Sequence, residues 1–324
     1  MPLVDSPFRP AWWLPGPHAQ TLWAALARRA PRPPLRWEEL ELPDGDFLEL
    51  AHVDRPVPDD APTALVLHGL AGSVHSPHVA GVIDALSHRG WRTVAFHFRG
   101  CGRKPNRSVI GYHSGKTDDP RFVLQTLRER HGGPLALVGF SLGANVTLKL
   151  LGEDGADSVV DVAAAVSPPL QLDRCADRME RGLSQFYQRA LLRDLGTYVR
   201  DKAQAGVDLD PAVLDRIHTF RDFDDLVTAP AHGFVDSADY YARASCRPFL
   251  AEIAVPTLVI HAHDDPFFTR DVVPGAGEVP ENVRFELAPS GGHVGFVEGS
   301  VPLRGHYHAD QRIPDFLEEA LARR

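Results

Sequence analysis

Leu137-Val138-Gly139-Phe140-Ser141-Leu142-Gly143-Ala144-Asn145 decides how this chain is read. A compact apolar run over residues 135–140 leads into it, and a near-continuous apolar helix-former over 142–151 leaves it. Gly139, Ser141 and Gly143 make the pattern G-x-S-x-G at the junction, where a strand must reverse into a helix within two or three residues. Side chains at the flanking positions would clash with the neighbouring strand and helix, hence the glycines. Ser141 sits at the strained apex, its hydroxyl at a helix N-terminus that favours developing negative charge. The plain alternative is a chance pentapeptide in a chain with 27 glycines. The strand before it and the helix after it decide for a nucleophile elbow.

Outward from the elbow, short β-branched runs recur at 63–67, 91–98, 159–166, 255–260 and 283–287. Apolar on both faces, they read as buried parallel strands. Helical patterns separate them: 79–88, with Val79, Val82, Ile83 and Leu86 on one face, 119–130, and 314–323 at the end of the chain. Pro120 suits a first helical turn. Residues 37–42 and 47–53 flank Pro43-Asp44-Gly45-Asp46 and read as a hairpin. Strands alternating with helices around such an elbow predict the α/β-hydrolase fold, a mostly parallel sheet flanked by helices. Between Pro168 and Pro248 the rhythm breaks into charged helix-like runs at 189–202, 211–223 and 237–243. This stretch reads as a helical cap over the strand ends, where ligands bind in such sheets. The expected organisation is an aromatic, proline-rich segment over 1–36 packing on the body, a first core part over 37–167, the cap over 168–250, and a second core part over 251–324.

A serine nucleophile needs a base and an acid, which in this fold follow it in the order Ser, Asp or Glu, His. His293 lies in Ser290-Gly291-Gly292-His293-Val294-Gly295-Phe296, a glycine-bounded turn after the last strand, and is chosen on that ground from sixteen histidines. Asp265 follows the strand that ends in Leu258-Val259-Ile260 and stands just before Pro266. It is preferred to Asp264, whose side chain must diverge from its neighbour's. Its role is to hold the imidazole tautomer and stabilise the imidazolium. The oxyanion hole calls for the N–H of Leu142 and a second donor from His68-Gly69-Leu70-Ala71-Gly72, assigned to Leu70. Gly69 lets the backbone approach the substrate.

Composition narrows the remaining possibilities. The 324 residues suffice for one large core with an insertion, and 44% apolar with 24% charged residues is ordinary for a globular protein. A net charge of −9 gives no basic surface for nucleic acid. Cys101, Cys175 and Cys246, an odd set without C-x-x-C spacing, predict neither a disulfide framework nor a zinc site and suit a reducing compartment. The N-terminus is interrupted by Pro2, Pro7, Pro10, Pro15 and Pro17 and lacks a signal-peptide layout. No run approaches the roughly 20 apolar residues of a membrane span. A soluble, cytoplasmic protein without cofactor or metal is expected.

Segments along nearly the whole chain also resemble the YheT-like branch of the α/β-hydrolases, the AB hydrolase 4 family. They include Pro10-Ala11-Trp12-Trp13-Leu14, Pro17-His18-Ala19-Gln20-Thr21-Leu22, Asp44-Gly45-Asp46-Phe47, His68-Gly69-Leu70 and Phe98-Arg99-Gly100-Cys101. Pro105-Asn106-Arg107, Thr117-Asp118-Asp119, Phe223-Asp224, Thr228-Ala229-Pro230, Asp239-Tyr240-Tyr241 and the histidine loop carry it further. The resemblance implies a Ser-Asp-His hydrolase of short- to medium-chain acyl esters, lipid esters among them, and its triad falls on Ser141, Asp265 and His293. Ala144 departs from the glycine many relatives carry there.

Other features weigh less. Gly111-Tyr112-His113-Ser114-Gly115-Lys116-Thr117 is one residue short of a phosphate loop. It is expected to shape the pocket rim, with Asp118 capping the next helix. His68, His75 and His78 lack metal-site spacing, and His68 is expected to support the oxyanion loop. Trp12, Trp13 and Trp23 raise peripheral membrane contact, but so short and proline-broken a segment favours packing across the body. The expected chemistry is ester hydrolysis of a small-molecule or lipid ester through an acyl-enzyme. An acyltransferase or thioesterase on the same triad, or a silent binding protein, stays open.

Overall fold

A computed structural model describes residues 3–323. Pro2, read above among the interrupting prolines, lies outside them, as do Met1 and Arg324 at the ends of the first and last expected segments. The strands are β1 (Leu3–Asp5), β2 (Leu35–Glu41), β3 (Phe47–Val53), β4 (Thr63–Leu67), β5 (Arg92–His97), β6 (Leu135–Phe140), β7 (Val162–Val166), β8 (Thr257–Ala262) and β9 (Val283–Ala288). They form one sheet in the order β1-β9-β8-β7-β6-β4-β5-β3-β2. β2–β3 and β3–β5 pair antiparallel and every other neighbour pairs parallel. β10 (Val297–Glu298) and β11 (His306–Tyr307) make a separate small hairpin.

Period-two alternation within each strand builds two cores, one on either side of the sheet. Leu65, Leu67, Leu135, Leu137 and Phe285 face α3 (Asp118–Arg130) and α4 (Leu142–Asp154). Ala64, Val66, Ala136, Val138 and Ile260 face α2 (Pro77–His88) and α10 (His308–Leu321). Crossovers through α2, α3 and α4 join β4 to β5, β5 to β6 and β6 to β7. The elbow strand β6 therefore lies at mid-sheet, flanked by β4 and β7, and the ends of these three strands carry the site.

Several expectations need correction. α10 begins at His308, not Pro314, which sits inside it. The apolar pattern was read only from 314 onward, yet the face that packs on α2 includes Ala309 and Ile313 upstream of the proline. Asp118 does not cap α3 through its side chain: it is the first helical residue, and its carboxylate takes Lys116 Nζ at 2.8 Å. The run 211–223 is broken into a 3₁₀ turn, Pro211–Arg216, and α7 (Phe220–Phe223). Thr219 starts a new capping box there and ends continuity. β1 adds an unforeseen parallel edge strand beside β9, and α1 (Gly16–Leu22) follows it.

Between β7 and β8 the chain is helical, with α5 (Leu172–Met179), α6 (Ser184–Gln204), α7, α8 (Ala229–His232) and α9 (Ser237–Ala244). Among the described residues no helix is long and apolar enough to cross a membrane.

Candidate active site

Ser141 holds φ 52° and ψ −117° between β6 and α4, a conformation L-residues avoid, so the turn stores strain. The flanking glycines are sterically required. A Cβ on Gly139 would stand 2.3 Å from the Gly143 carbonyl oxygen, and one on Gly143 would stand 2.6 Å from that of His68. The Ser141 N–H is tied to the Val166 carbonyl at 2.9 Å, which fixes the apex over β7.

His293 Nε2 lies 2.9 Å from Ser141 Oγ, and its Nδ1 lies 2.8 Å from Asp265 Oδ2. The other Asp265 oxygen accepts the Phe267 N–H at 2.8 Å, and the carboxyl is buried. The residues that sequence order selected are thus brought into one hydrogen-bonded line. Asp264 points elsewhere and accepts the N–H groups of Gly291 and Gly292 at 2.9 and 3.0 Å, anchoring the loop that carries His293.

That loop is held by groups that no local sequence pattern singles out. Thr21, from α1, accepts the His293 N–H at 2.9 Å, and Ser167 Oγ accepts the Val294 N–H at 3.1 Å. Val294, β-branched, is kept at φ 53°. Gln20 brackets the loop's exit, accepting the Val297 N–H at 2.7 Å and donating to the Val297 carbonyl at 3.2 Å. The Phe267 ring stacks on the imidazole with centroids 3.9 Å apart, closing one face of it. Gln20 and Thr21 were visible only as part of a family-like motif, with nothing in the motif to announce their task.

Leu70 and Leu142 line the same cavity as Ser141. Leu142 opens α4, so its N–H has no intrahelical acceptor. The Gly69 carbonyl is drawn to His68 Nδ1 at 2.7 Å and accepts the Gly72 N–H at 3.0 Å. Across the planar trans peptide the Leu70 N–H points the opposite way. His68 is buried, and burial pulls its pKa down to about 3, so it is neutral. Its Nε2 accepts the Phe98 N–H at 3.2 Å, which leaves the proton on Nδ1. Tyr112 Oη accepts the Ala71 N–H at 3.0 Å and steadies the far end of the loop. A Cβ on Gly69 would come within 3.2 Å of the Ser141 Cβ, so this backbone lies directly over the serine.

The cavity, about 1040 Å³ with its open mouth, runs from Ser141 under the helices between β7 and β8. Leu195, Tyr198, Phe220 and Phe223 come from those helices, and Tyr112, His113 and Ser114 from the loop that imitates a phosphate site. Asn145, one turn into α4, donates to the Ser114 and Ala244 carbonyls at 2.7 and 2.8 Å and so ties loop and helices to the elbow. His75 and His78 do not join His68 in a cluster that could hold a metal ion among the described residues.

Four other family-like segments meet in a separate polar cluster. Arg99, 3% exposed, binds both oxygens of Asp119 at 2.7 and 2.8 Å and reaches Asp44 and Asp46. Asn106 Nδ2 donates to Asp46 at 2.6 Å. The motifs at 44–47, 98–101, 105–107 and 117–119 thus form one buried polar knot under the β2–β3 hairpin.

Comparison with known proteins agrees with this architecture. A family model described as alpha/beta hydrolase fold matches residues 62–300. The chain is 43% identical over 305 residues to a protein of Escherichia coli (strain K12) named "Putative esterase YheT", covering 93% of this chain and 89% of that one. It is 30% identical over 251 residues to a "Monoacylglycerol lipase" of Saccharomyces cerevisiae, covering 74% of this chain and 56% of the relative's length. Among solved structures, the Pyrococcus furiosus esterase Pf2001 superposes with a TM-score of 0.56 at 18% identity, covering 99% of this chain and 97% of that one.

Proposed function

The chain belongs to the α/β-hydrolase fold family, in its YheT-like branch, and from that premise we propose that it is a carboxylic ester hydrolase acting through Ser141, His293 and Asp265. The observation that carries the reading is the line from Ser141 Oγ through His293 to Asp265, at 2.9 and 2.8 Å, on the wall of an apolar cavity.

Ser141 Oγ attacks the ester carbonyl carbon while His293 Nε2 takes the hydroxyl proton. Asp265 keeps the other imidazole proton on Nδ1 and balances the positive charge that develops. The Leu142 and Leu70 amides receive the oxyanion. Collapse of the tetrahedral intermediate breaks the bond to the alcohol oxygen, which leaves with the proton from His293. Water, deprotonated by His293, then attacks the acyl-serine and releases the acid. The apolar lining supports short- to medium-chain acyl esters, lipid esters among them. Residues 168–250 serve as the cap that sets substrate shape. Three free cysteines, Cys101, Cys175 and Cys246, support work in a reducing compartment such as the cytoplasm.

The test is Ser141→Ala against p-nitrophenyl esters. Turnover is expected to fall by on the order of 10⁴ or more, with loss of fluorophosphonate labelling. Undiminished turnover in the variant, or failure of the wild type to label, rejects the reading.

A further inference from the structure

The cavity that holds Ser141 is lined mostly by aliphatic and aromatic side chains, with His113, Ser114, Cys175, Thr228 and His232 as neutral polar groups, a single carboxylate, Asp224, and no lysine or arginine among the described residues. Asp224 opens a π-helical turn, Asp224–Thr228, directly after α7. Such turns in proteins gather at functional sites because they re-aim side chains out of helical register. Its Oδ1 accepts the Thr228 hydroxyl at 2.7 Å and its Oδ2 accepts the Tyr241 hydroxyl at 2.6 Å. A carboxylate offers about four acceptor positions, so two remain. Among the described residues no lysine or arginine pairs with it, since the nearby Arg221 is spent on Asp177 at 2.6 Å. Burial raises its pKa to about 7. Asp224, Cys175 and Ser141 line the same cavity.

A carboxylate facing a mostly apolar cavity is costly without a countercharge, and a charged group among a few polar ones in such a pocket fixes a ligand's orientation. We propose that Asp224 is a specificity-determining residue that selects esters carrying a hydrogen-bond donor, a hydroxyl or an ammonium, at the end remote from the scissile bond. The proposal rests on the ester-hydrolase reading of Ser141. Phe223, Tyr240 and Tyr241 line the cavity beside it and give an ammonium a further aromatic attraction. An anionic end is repelled by the same group.

The simpler alternative is that Asp224 only fastens the π-helical turn to α9 through Tyr241. Two matched substrate series separate the two. One is p-nitrophenyl esters of equal acyl length ending in methyl, hydroxyl or ammonium. The other is butyrate esters of propanol, glycerol and 3-aminopropanol. In one series the wild type is expected to favour a donor-bearing member by about 10- to 100-fold in kcat/KM, mainly through KM. Asp224→Leu brings that ratio to about one, and Asp224→Asn lowers the ammonium preference more than the hydroxyl one. Tyr241→Phe removes the fastening bond while keeping the ring, and retains the preference. No preference in the wild type, or an equal proportional loss on all substrates in Asp224→Leu, overturns the proposal. Fluorophosphonate labelling of Ser141 is followed in every protein. Its absence in the wild type removes the hydrolase reading and this proposal with it, whereas labelling without preference removes this proposal alone.

Discussion

Thr21 Oγ1 accepts the backbone N–H of His293 at 2.9 Å, joining two residues 272 positions apart in the chain. The same hydroxyl donates to the Pro17 carbonyl at 2.8 Å, so Thr21 couples the start of α1 to the loop that carries His293. Thr21→Val keeps the shape and removes both bonds, leaving a buried N–H unsatisfied at a cost of about 1–3 kcal/mol. A small shift of the imidazole costs more in rate than in binding. We expect kcat on p-nitrophenyl esters to fall by roughly 10- to 100-fold with KM nearly unchanged. Steady-state kinetics with a thermal melt checks this, and a KM change with kcat intact would assign Thr21 to substrate binding instead.

Arg99 is a counterpart whose bonds all go to carboxylates outside the serine's hydrogen-bonded line. Its guanidinium meets Asp119 at 2.7 and 2.8 Å and reaches Asp44 at 2.6 Å. Asp119 and Asp46 are buried with it. Removing one partner of such a set leaves the others charged and desolvated, which costs about 3–5 kcal/mol. Arg99→Met is therefore expected to lower the urea midpoint substantially. Whatever fraction stays folded should still label at Ser141. Loss of labelling in folded protein would instead tie Arg99 to the chemistry.

This contrast marks what the sequence could and could not disclose. The elbow turn, β4, β6 and the meeting of Ser141, Asp265 and His293 were legible because each rests on a short local pattern or on chain order. Asp265 was preferred to Asp264 for its place just before Pro266, neighbouring side chains being bound to diverge, and the two carboxylates do take different partners, His293 and the Gly291–Gly292 amides. Thr21, Ser167 and Gln20 were not legible as site residues, since their tasks arise from contacts between distant segments. Asp118 and Pro314 misled for the opposite reason. Asp118 matched a local rule for a helix cap and the last helix was bounded by its visible apolar pattern, but Lys116 takes the Asp118 carboxylate and packing on α2 extends α10 upstream of Pro314.

Acid should unfold the protein through its buried histidines. Burial lowers His68 and His78 to about 3, and His97, His232 and His261 to about 4. The unfolded chain protonates these side chains near pH 6.5, while the folded one does not until far lower. The unfolded state therefore binds more protons, and stability present above pH 6.5 is lost as pH falls toward 4. Asp224 and Asp310, raised by burial to about 7 and about 6, work in the opposite sense but are fewer. We expect the melting temperature to drop steeply between pH 7 and 5. His261→Phe, at a buried ring stacked on Phe268 with centroids 5.5 Å apart, should flatten that drop by about 2 kcal/mol. An unchanged slope in the variant would show that His261 is protonated in the folded state.

His68 offers the sharpest test of the proposed oxyanion geometry because both of its ring nitrogens bond backbone groups. Its Nδ1–H holds the Gly69 carbonyl at 2.7 Å while Nε2 takes the Phe98 N–H at 3.2 Å. Turning the Gly69–Leu70 peptide would carry the Leu70 N–H away from the cavity. Only the transition state, with full negative charge on oxygen, depends strongly on that donor. His68→Ala should therefore lower kcat by an amount approaching the roughly 10²- to 10³-fold seen when one oxyanion donor is removed, with little change in KM. Gly72, whose N–H also reaches the Gly69 carbonyl at 3.0 Å, sets how much of the geometry survives without the imidazole. Fluorophosphonate labelling should slow in parallel with kcat, since phosphonylation also builds charge on an oxygen held by these amides. A variant that labels at the wild-type rate yet turns over esters slowly would place the role of His68 outside the oxyanion hole.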